Sequence, residues 1–194
     1  MLNNSANCAQ RRSDAPRRRL LLKCLATLPL ALPFSSASAA SVGSCQLKFH
    51  HTHTDERLAI AFRDSSGYIN PALERLNWLL RDHVSGEMAS IDPRLFDILH
   101  ALSLSCGSET FEIISAYRSP TTNAMLRKTK GRGVAKHSLH MDARAIDVRL
   151  VGSNTARLRD AAVALGLGGV GYYPKSDFLH VDTGDVRVWG AMRG

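Results

Sequence analysis

The sequence lacks long apolar runs. None of its 194 residues lies in a stretch of the roughly 18 consecutive apolar residues that a membrane-spanning helix needs. Aromatic residues are also few, at 6%, while 44% of the residues are hydrophobic and 22% are charged. This balance is typical of one globular domain and excludes a disordered, collagen-like or coiled-coil chain. We therefore expect no internal membrane anchor.

Cysteine is scarce too, with four residues in the chain. No two of them have the Cys-x-x-Cys spacing, which excludes a zinc knuckle and a thioredoxin-like redox motif. Cys8 and Cys24 lie in the N-terminal region, so Cys45 and Cys106 are the two that concern the folded domain. In an oxidising compartment these two could pair or stay as separate thiols, and the sequence favours neither.

Positive charge is concentrated at the N-terminus. Of the formal net charge of +8, residues 1–39 carry +5, because six Arg and Lys residues stand there against Asp14 alone. The +3 that remains for residues 40–194 is ordinary for a soluble domain and lacks the basic footprint of a nucleic-acid binder. We therefore expect no nucleic-acid partner.

The same N-terminal region has the three parts of an export signal. Arg18-Arg19 precedes the apolar run 24–34, which is followed by Ala37-Ser38-Ala39. A basic end, a short apolar segment and small residues before a cleavage site are typical of a signal peptide, and the twin arginine is similar to the Tat type. We predict a signal peptide over residues 1–39 and one functional domain over residues 40–194.

Short strand-like and helical segments follow one another without regular βαβ alternation. We predict helices that begin at Asn70-Pro71, Asp92-Pro93, Ser119-Pro120 and Asn154. We predict strands at Leu47–His53, Leu58–Phe62, Phe111–Tyr117, Ala145–Leu150, Val170–Tyr173, Phe178–Asp182 and Val186–Trp189. This mixture indicates an α+β fold, a single domain with a central, mostly antiparallel sheet and flanking helices.

Residues that can bind a metal or move protons are concentrated in the C-terminal third. His140, Asp147 and His180 offer two imidazoles and a carboxylate, a set that leaves zinc a fourth position for water. Asp177 is the candidate general base, provided that the turn-forming residues 174–177 bend the chain before His180. Asp182 shares a strand face with His180 and could orient its imidazole. Spacing alone does not favour a metal site over its alternative, in which the two histidines are ordinary surface residues and Asp147 forms a salt bridge.

Other residues of these types are expected to be structural. His50, His51 and His53 look like a metal cluster, but neighbouring positions of a strand face opposite ways, and a hairpin surface is the favoured place for them. Tyr172, Tyr173 and Trp189 are expected in the core or in the wall of a cleft.

Three ordered motifs resemble those of a known peptidase family. Ser138-Leu-His140-Met-Asp-Ala-Arg-Ala145-Ile-Asp147 resembles its Ser-x-His-x-x-Gly-x-Ala-x-Asp signature, and Asp177-Phe-Leu-His180-Val-Asp-Thr-Gly184 resembles its Asp/Glu-x-x-His segment. Ser115-Ala-Tyr-Arg118-Ser-Pro120 resembles its arginine-bearing motif. The chain is thus similar to the zinc D-alanyl-D-alanine peptidase and murein endopeptidase family, and residues 47–100 resemble the YcbK-like branch in particular.

The resemblance implies a role for each matching residue. It makes His140, Asp147 and His180 the ligands of one zinc ion per chain. It makes Asp177 the general base and Arg118 the group that binds the substrate carbonyl or carboxylate. Ser138 and Asp182 are expected beside the ligands, without touching the metal.

One position departs from the family pattern, since Ala143 stands where the family has glycine. If that position has a positive φ, alanine would cost about 1 kcal/mol there. The ligands themselves are unchanged.

Together, the export signal and the family resemblance imply an exported protein, periplasmic or associated with the cell wall, that acts on peptidoglycan peptides. The favoured activity is that of a zinc peptidase, with cross-link endopeptidase preferred over stem-peptide carboxypeptidase. The alternative is a non-catalytic, zinc-containing module that binds the cell wall. The sequence leaves the oligomeric state open.

Overall fold

The computed structural model describes residues 43–130 and 134–191. This part of the chain forms four helices and eight strands. The helices are α1 (Asn70–Leu79), α2 (Arg94–Cys106), α3 (Pro120–Lys130) and α4 (Thr155–Leu165). The strands are β1 (Cys45–His51), β2 (Arg57–Asp64), β3 (Gly67–Tyr68), β4 (Thr110–Ser115), β5 (Ala145–Leu150), β6 (Gly169–Tyr173), β7 (Phe178–Asp182) and β8 (Arg187–Gly190).

All eight strands of the described residues belong to one sheet, in the order β3-β2-β1-β4-β5-β7-β6-β8. Neighbouring strands run antiparallel except for the pairs β1–β4 and β6–β8, which are parallel. The prediction of an α+β fold with a mostly antiparallel sheet is therefore confirmed. The short edge strand β3 was not predicted.

Several helix ends lie at residues that the sequence marks. Pro71 lies in the first turn of α1. The Ser119 hydroxyl accepts a hydrogen bond from the amide of Thr122 at 3.2 Å at the start of α3, and Asn154 caps α4 in the same way. Gly107 ends α2 with a φ of 71°, a left-handed conformation that glycine adopts without strain.

The strand β5 separates the core from the candidate site. Ile146, Val148 and Leu150 are buried in the hydrophobic core. Because side chains alternate along a strand, Asp147 and Arg149 point to the opposite face of the sheet. The alternation in the sequence thus places a carboxylate on a rigid, fully paired central strand, on the face away from the core.

Cys45 and Cys106 are free thiols. Of the two alternatives, a disulfide or two separate thiols, the described structure therefore has the separate thiols. No helix in residues 43–130 or 134–191 is long and apolar enough to cross a membrane. The predicted signal peptide and its cleavage position lie outside the described residues.

Candidate metal centre

The fold brings together the three residues predicted as metal ligands. Asp147 of β5 and His180 of β7 are directly paired across the two antiparallel strands, and His140 lies in the turn that precedes β5. The Nε2 atom of His140 is 3.2 Å from Nδ1 of His180 and 3.3 Å from Oδ1 of Asp147. The third side of the triangle, from Nδ1 of His180 to Oδ1 of Asp147, is 2.9 Å.

This triangle fits a zinc ion. In a tetrahedral zinc site with metal–ligand distances of about 2.0–2.1 Å, neighbouring donor atoms lie about 3.3 Å apart. All three residues are buried, and within the described ranges they are the one group of three or more His, Cys, Asp or Glu residues whose donor atoms converge in this way. The donor set is of the type that binds zinc and leaves a fourth position open.

Hydrogen bonds fix which nitrogen of each histidine is available. Nδ1 of His140 lies 2.7 Å from the carbonyl oxygen of Ala116, so Nδ1 carries the proton. Nε2 is therefore unprotonated and has a lone pair available for a metal ion. Nε2 of His180 lies 3.1 Å from Oδ2 of Asp182, which leaves Nδ1 facing the other two donors. Outer contacts of this kind orient metal-binding imidazoles in proteins.

Asp182 is itself held by several donors. It is fully buried, and its Oδ1 accepts hydrogen bonds from the amides of Gly169 at 3.1 Å and Gly184 at 2.8 Å. Arg187 reaches Oδ2 at 2.8 Å. A Cβ atom on Gly169 would lie 2.4 Å from Oδ2, so glycine is needed for the chain to come this close.

The pKa values of the donors follow from burial and from their mutual contacts. Burial alone would raise the pKa of Asp147, but His140 and His180 outweigh it and hold that pKa well below its usual range. Burial alone would lower the pKa of His180, but hydrogen bonds to Asp147 and Asp182 outweigh it and raise the pKa to about 9. Burial lowers the pKa of His140. Asp147 is therefore ionised at neutral pH, as a metal ligand must be.

Arg118 lies next to this group. Its Nη2 is 3.9 Å from Oδ2 of Asp147 and donates to the hydroxyl of Ser115 at 3.2 Å. Nη1 donates to Oδ1 of Asn123 at 3.4 Å, and the backbone amide of Arg118 donates to the carbonyl of His140 at 3.1 Å. These contacts fix a guanidinium group at the edge of the three residues His140, Asp147 and His180, which are called the metal-binding group below.

Two further residues of the first motif shape the turn that carries His140. The carbonyl of Ser138 accepts a hydrogen bond from the amide of Met141 at 2.8 Å. Ser138 also lines the cavity of about 690 Å³ that His140 and His180 line, and this cavity is called the cleft below. Ala143 has a φ of 55° and is buried. Ala143 therefore occupies the left-handed conformation expected at this position, where a Cβ costs about 1 kcal/mol.

The bend predicted between Asp177 and His180 is present. The amide of Ser176 donates to the carbonyl of Tyr173 at 3.1 Å, and that of Asp177 donates to the carbonyl of Pro174 at 3.3 Å. Asp177 ends this turn with a φ of 49°, a conformation that aspartate tolerates better than most residues.

The side chain of Asp177, however, lies apart from the metal-binding group. Its carboxylate accepts a hydrogen bond from the hydroxyl of Thr155 and lies 3.5 Å from Nε of Arg149, with 67% of the side chain exposed. Its neighbours Ser176 and Phe178 line the cleft, whereas Asp177 does not. The structure does not bring this carboxylate to the ligands, and its role as general base stays a prediction without support from the geometry.

His51 and His53, two of the three histidines predicted at the hairpin surface, form a second cluster with His83. His51 is buried, not on the hairpin surface, because it packs against the rings of His53 and His83. Burial, with His83 and His53, lowers the pKa of His51 to about 4. The rings of His53 and His83 stack with centroids 4.1 Å apart, so they meet by their faces and not by their nitrogens.

Two cavities are lined in part by residues of the metal-binding group. One, of about 690 Å³, is lined by residues that include His140, His180 and Trp189. The other, of about 320 Å³, extends toward His53 and His83. Arg118 and Asp147 line both cavities.

We expect the contact between Asp182 and His180 to strengthen metal binding. The substitution Asp182→Asn keeps the size of the buried side chain but removes the charge that faces the His180 imidazole. Zinc affinity should fall by about 10- to 100-fold, the effect typical of losing a partner of a ligating histidine. Competition with a chelator measures this affinity. The exposed Asp185→Asn is the matched control, and an Asp182→Asn affinity within twofold of the wild type would contradict the assignment.

Comparisons with known proteins agree on one kind of relative. A family model described as peptidoglycan L,D-endopeptidase MepK matches residues 39–189. The peptidoglycan L,D-endopeptidase MepK of Escherichia coli K12 is 40% identical over 179 residues, which is 91% of this chain and 98% of the relative. A probable peptidoglycan L,D-endopeptidase MepK of Haemophilus influenzae is 41% identical over 145 residues, or 74% of this chain and 77% of the relative. No solved structure matches the chain.

Proposed function

Because the chain belongs to the family of the peptidoglycan L,D-endopeptidase MepK, we propose that it cleaves cross-links between peptidoglycan peptides at a bond that joins an L-configured to a D-configured residue. It is a peptidoglycan endopeptidase of a zinc metallopeptidase family. The observation that carries the proposal is the triangle of donor atoms from His140, Asp147 and His180.

In this proposal one zinc ion is held by Nε2 of His140, Oδ1 of Asp147 and Nδ1 of His180. When bound, zinc supplies a Lewis acid that polarises a carbonyl group and lowers the pKa of water. Asp182 and the carbonyl of Ala116 keep the two imidazoles in the orientation that presents these nitrogens. Ser138 lies in the wall of the cleft and is not one of the three proposed ligands.

Arg118 is proposed to bind the oxygen of the scissile carbonyl. Its guanidinium is mostly buried, with 13% of the side chain exposed, and lies beside Asp147. A fixed positive charge near the reacting carbonyl stabilises the negative charge that develops on its oxygen.

The shape of the cleft supports an endopeptidase over a carboxypeptidase. An endopeptidase must hold peptide on both sides of the scissile bond, whereas a carboxypeptidase needs room for only one terminal residue beyond it. Arg118 and Asp147 line both the cavity of about 690 Å³ and the cavity of about 320 Å³, so there is space for peptide on more than one side of these two residues.

Digestion of purified, cross-linked peptidoglycan peptides tests this function. We expect the zinc-loaded protein to convert cross-linked dimers to monomers by cutting an L,D bond, as mass spectrometry of the products would show. Release of single terminal amino acids in place of monomers would instead identify a carboxypeptidase. A folded, zinc-loaded protein that binds these dimers without cutting them would contradict the enzymatic proposal.

The proposed location is outside the cytoplasmic membrane. It rests on the residues of the N-terminal signal and on the peptidoglycan activity of the relatives, which implies the cell envelope. We expect N-terminal sequencing of the exported protein to begin near Ala40. Recovery of the exported protein with Met1 intact would contradict this.

The substitution Asp177→Asn separates a general base from a turn residue. Asparagine also tolerates the left-handed conformation and keeps an oxygen that can accept from Thr155 and Arg149. Because the contacts of Asp177 are those of a turn residue, we expect turnover within a few-fold of the wild type and unchanged zinc content.

A fall in turnover of about 10²–10⁴-fold, typical of losing a general base, would contradict this expectation. It would show that the carboxylate leaves Thr155 and Arg149 during the reaction and takes the proton itself. Thr155→Val is the control for the turn, since it removes the hydroxyl that holds the carboxylate in place.

A further inference from the structure

Tyr173 has a polar group in the cleft that none of the roles above uses. It is the last residue of β6, and its ring stacks on that of Phe178, its partner across the hairpin, with centroids 4.6 Å apart. Tyr173 and Phe178 both line the larger cavity, as do His140 and His180. The stack fixes the plane of the phenol ring in the wall of the cleft.

Trp189 fixes the position of the hydroxyl group. Its Nε1 donates a hydrogen bond to the phenol oxygen of Tyr173 at 2.9 Å. Its indole ring lies 5.1 Å from the imidazole of His180, measured between centroids. Trp189 therefore connects the phenol to one of the residues of the metal-binding group.

The sequence makes room for this indole ring. Gly171 of β6 is the partner of Trp189 in the parallel pair β6–β8. A Cβ atom on Gly171 would lie 2.7 Å from the indole, which is too close for any other residue without a shift of the ring. On another side, the guanidinium of Arg187 lies 5.0 Å from the ring centroid.

The direction of the Tyr173–Trp189 hydrogen bond decides what the phenol can do. An indole N–H can only donate, so the phenol oxygen is the acceptor and its own proton is not used in this contact. Among the described residues, no acceptor lies within hydrogen-bond distance of that proton. The hydroxyl of Tyr173 is thus a positioned donor without a protein acceptor, in the wall of the cleft.

We propose that Tyr173 is a further catalytic residue, which donates a hydrogen bond from its hydroxyl to the carbonyl oxygen of the scissile peptide bond, and that Trp189 is its positioning residue. The proposal rests on the endopeptidase function proposed above. Negative charge develops on that carbonyl oxygen in the transition state, and a preorganised donor there stabilises it. Tyr173 would share this task with Arg118.

The substitution Tyr173→Phe removes the hydroxyl and keeps the ring that stacks on Phe178. We expect kcat on cross-linked dimers to fall by about 10²-fold, at the lower end of the effect of removing one such donor. KM, zinc content and the circular dichroism spectrum should stay close to those of the wild type. The matched control is Tyr172→Phe, because the neighbouring Tyr172 packs under Arg159 and its hydroxyl lies outside both cavities.

Trp189→Phe tests the positioning role. It keeps an aromatic ring against His180 but removes the N–H that holds the phenol oxygen. We expect a smaller fall in kcat, about 3- to 10-fold, and no further fall when it is added to Tyr173→Phe, since residues that act through one another are not additive. Equal and additive falls in the two single variants would contradict the positioning role.

The same assay separates the failure of this proposal from that of the function. An active wild type together with a Tyr173→Phe variant that keeps its kcat would overturn the role of the hydroxyl and leave the endopeptidase intact. A loss of kcat in Tyr172→Phe equal to that in Tyr173→Phe would show a general structural effect and would also overturn it. If the zinc-loaded wild type cuts no cross-link, the proposed endopeptidase function is wrong, and the proposed role of Tyr173 is wrong as well.

Discussion

His140→Ala and His180→Ala should each lower the turnover of cross-linked peptidoglycan peptides by about 10³-fold or more. Each substitution removes one of three protein donors, and the two that remain bind the ion too weakly to keep it against water and chelators. Because a bound zinc ion supplies several kcal/mol of transition-state stabilisation, its loss removes most of the rate enhancement. Turnover and metal content are measured on the same preparations.

His50→Ala is the matched control for these two variants. His50 belongs to β1 and pairs with Asp55 at 2.6 Å on the exposed side of the hairpin, and it lines neither cavity at the metal-binding group. Both its zinc content and its turnover should match the wild type. Full zinc occupancy in His140→Ala and His180→Ala would mean that the wrong ligands have been named.

Arg118→Ala should lower kcat/KM by about 10²–10³-fold, the cost of removing one donor to a developing oxyanion. Both kcat and KM are expected to change, because the guanidinium meets the substrate in the ground state and in the transition state. Zinc should stay bound, since the three donor atoms are untouched. Arg118→Lys should recover only part of the activity, because an ammonium group lacks the planar fork that contacts Ser115 and Asn123.

Arg149→Ala is the control for the loss of a positive charge on this face of the sheet. Arg149 lies two residues from Asp147 on β5 and pairs with Glu112 at 3.2 Å, but it lines neither cavity. Its turnover should stay within twofold of the wild type. If Arg118→Ala lost its zinc, or lost no more activity than Arg149→Ala, Arg118 would be a structural residue.

Local signals in the sequence were sufficient for most of the fold. The bounds of β5 are those predicted, and the proline and asparagine signals placed the starts of α1 and α4. The order of the strands was not predictable in the same way. The parallel pairs β1–β4 and β6–β8 join strands that do not follow each other directly in the sequence, and the contacts between them depend on the packing of the whole domain.

The candidate site was predictable from the sequence where a motif fixes the backbone. It was less predictable where the direction of a side chain depends on tertiary contacts. His140, Asp147 and His180 converge because a turn and two paired strands carry them. Asp177 is three residues before His180, as the motif requires. Its backbone is left-handed, however, and its carboxylate contacts Thr155 and Arg149. An aspartate suits such a turn as well as it suits a general base, so spacing alone did not separate the two.

Tyr173 and Trp189 were expected in the core or the wall of a cleft, and both line the larger cavity. What the sequence did not reveal is the hydrogen bond between them, because it joins β6 to a strand that pairs with it only in the folded sheet. Gly171, directly beside Trp189 in that pair, is the one local signal that could have pointed to a bulky neighbour.

Anomalous diffraction at the zinc absorption edge, from crystals of the zinc-loaded protein, tests the proposed metal centre most directly. The structure predicts one peak per chain, bounded by Nε2 of His140, Oδ1 of Asp147 and Nδ1 of His180. His180 should bind through Nδ1, because Asp182 holds its other nitrogen. A peak at the His51, His53 and His83 cluster, or zinc bound to Nε2 of His180, would contradict the proposed centre.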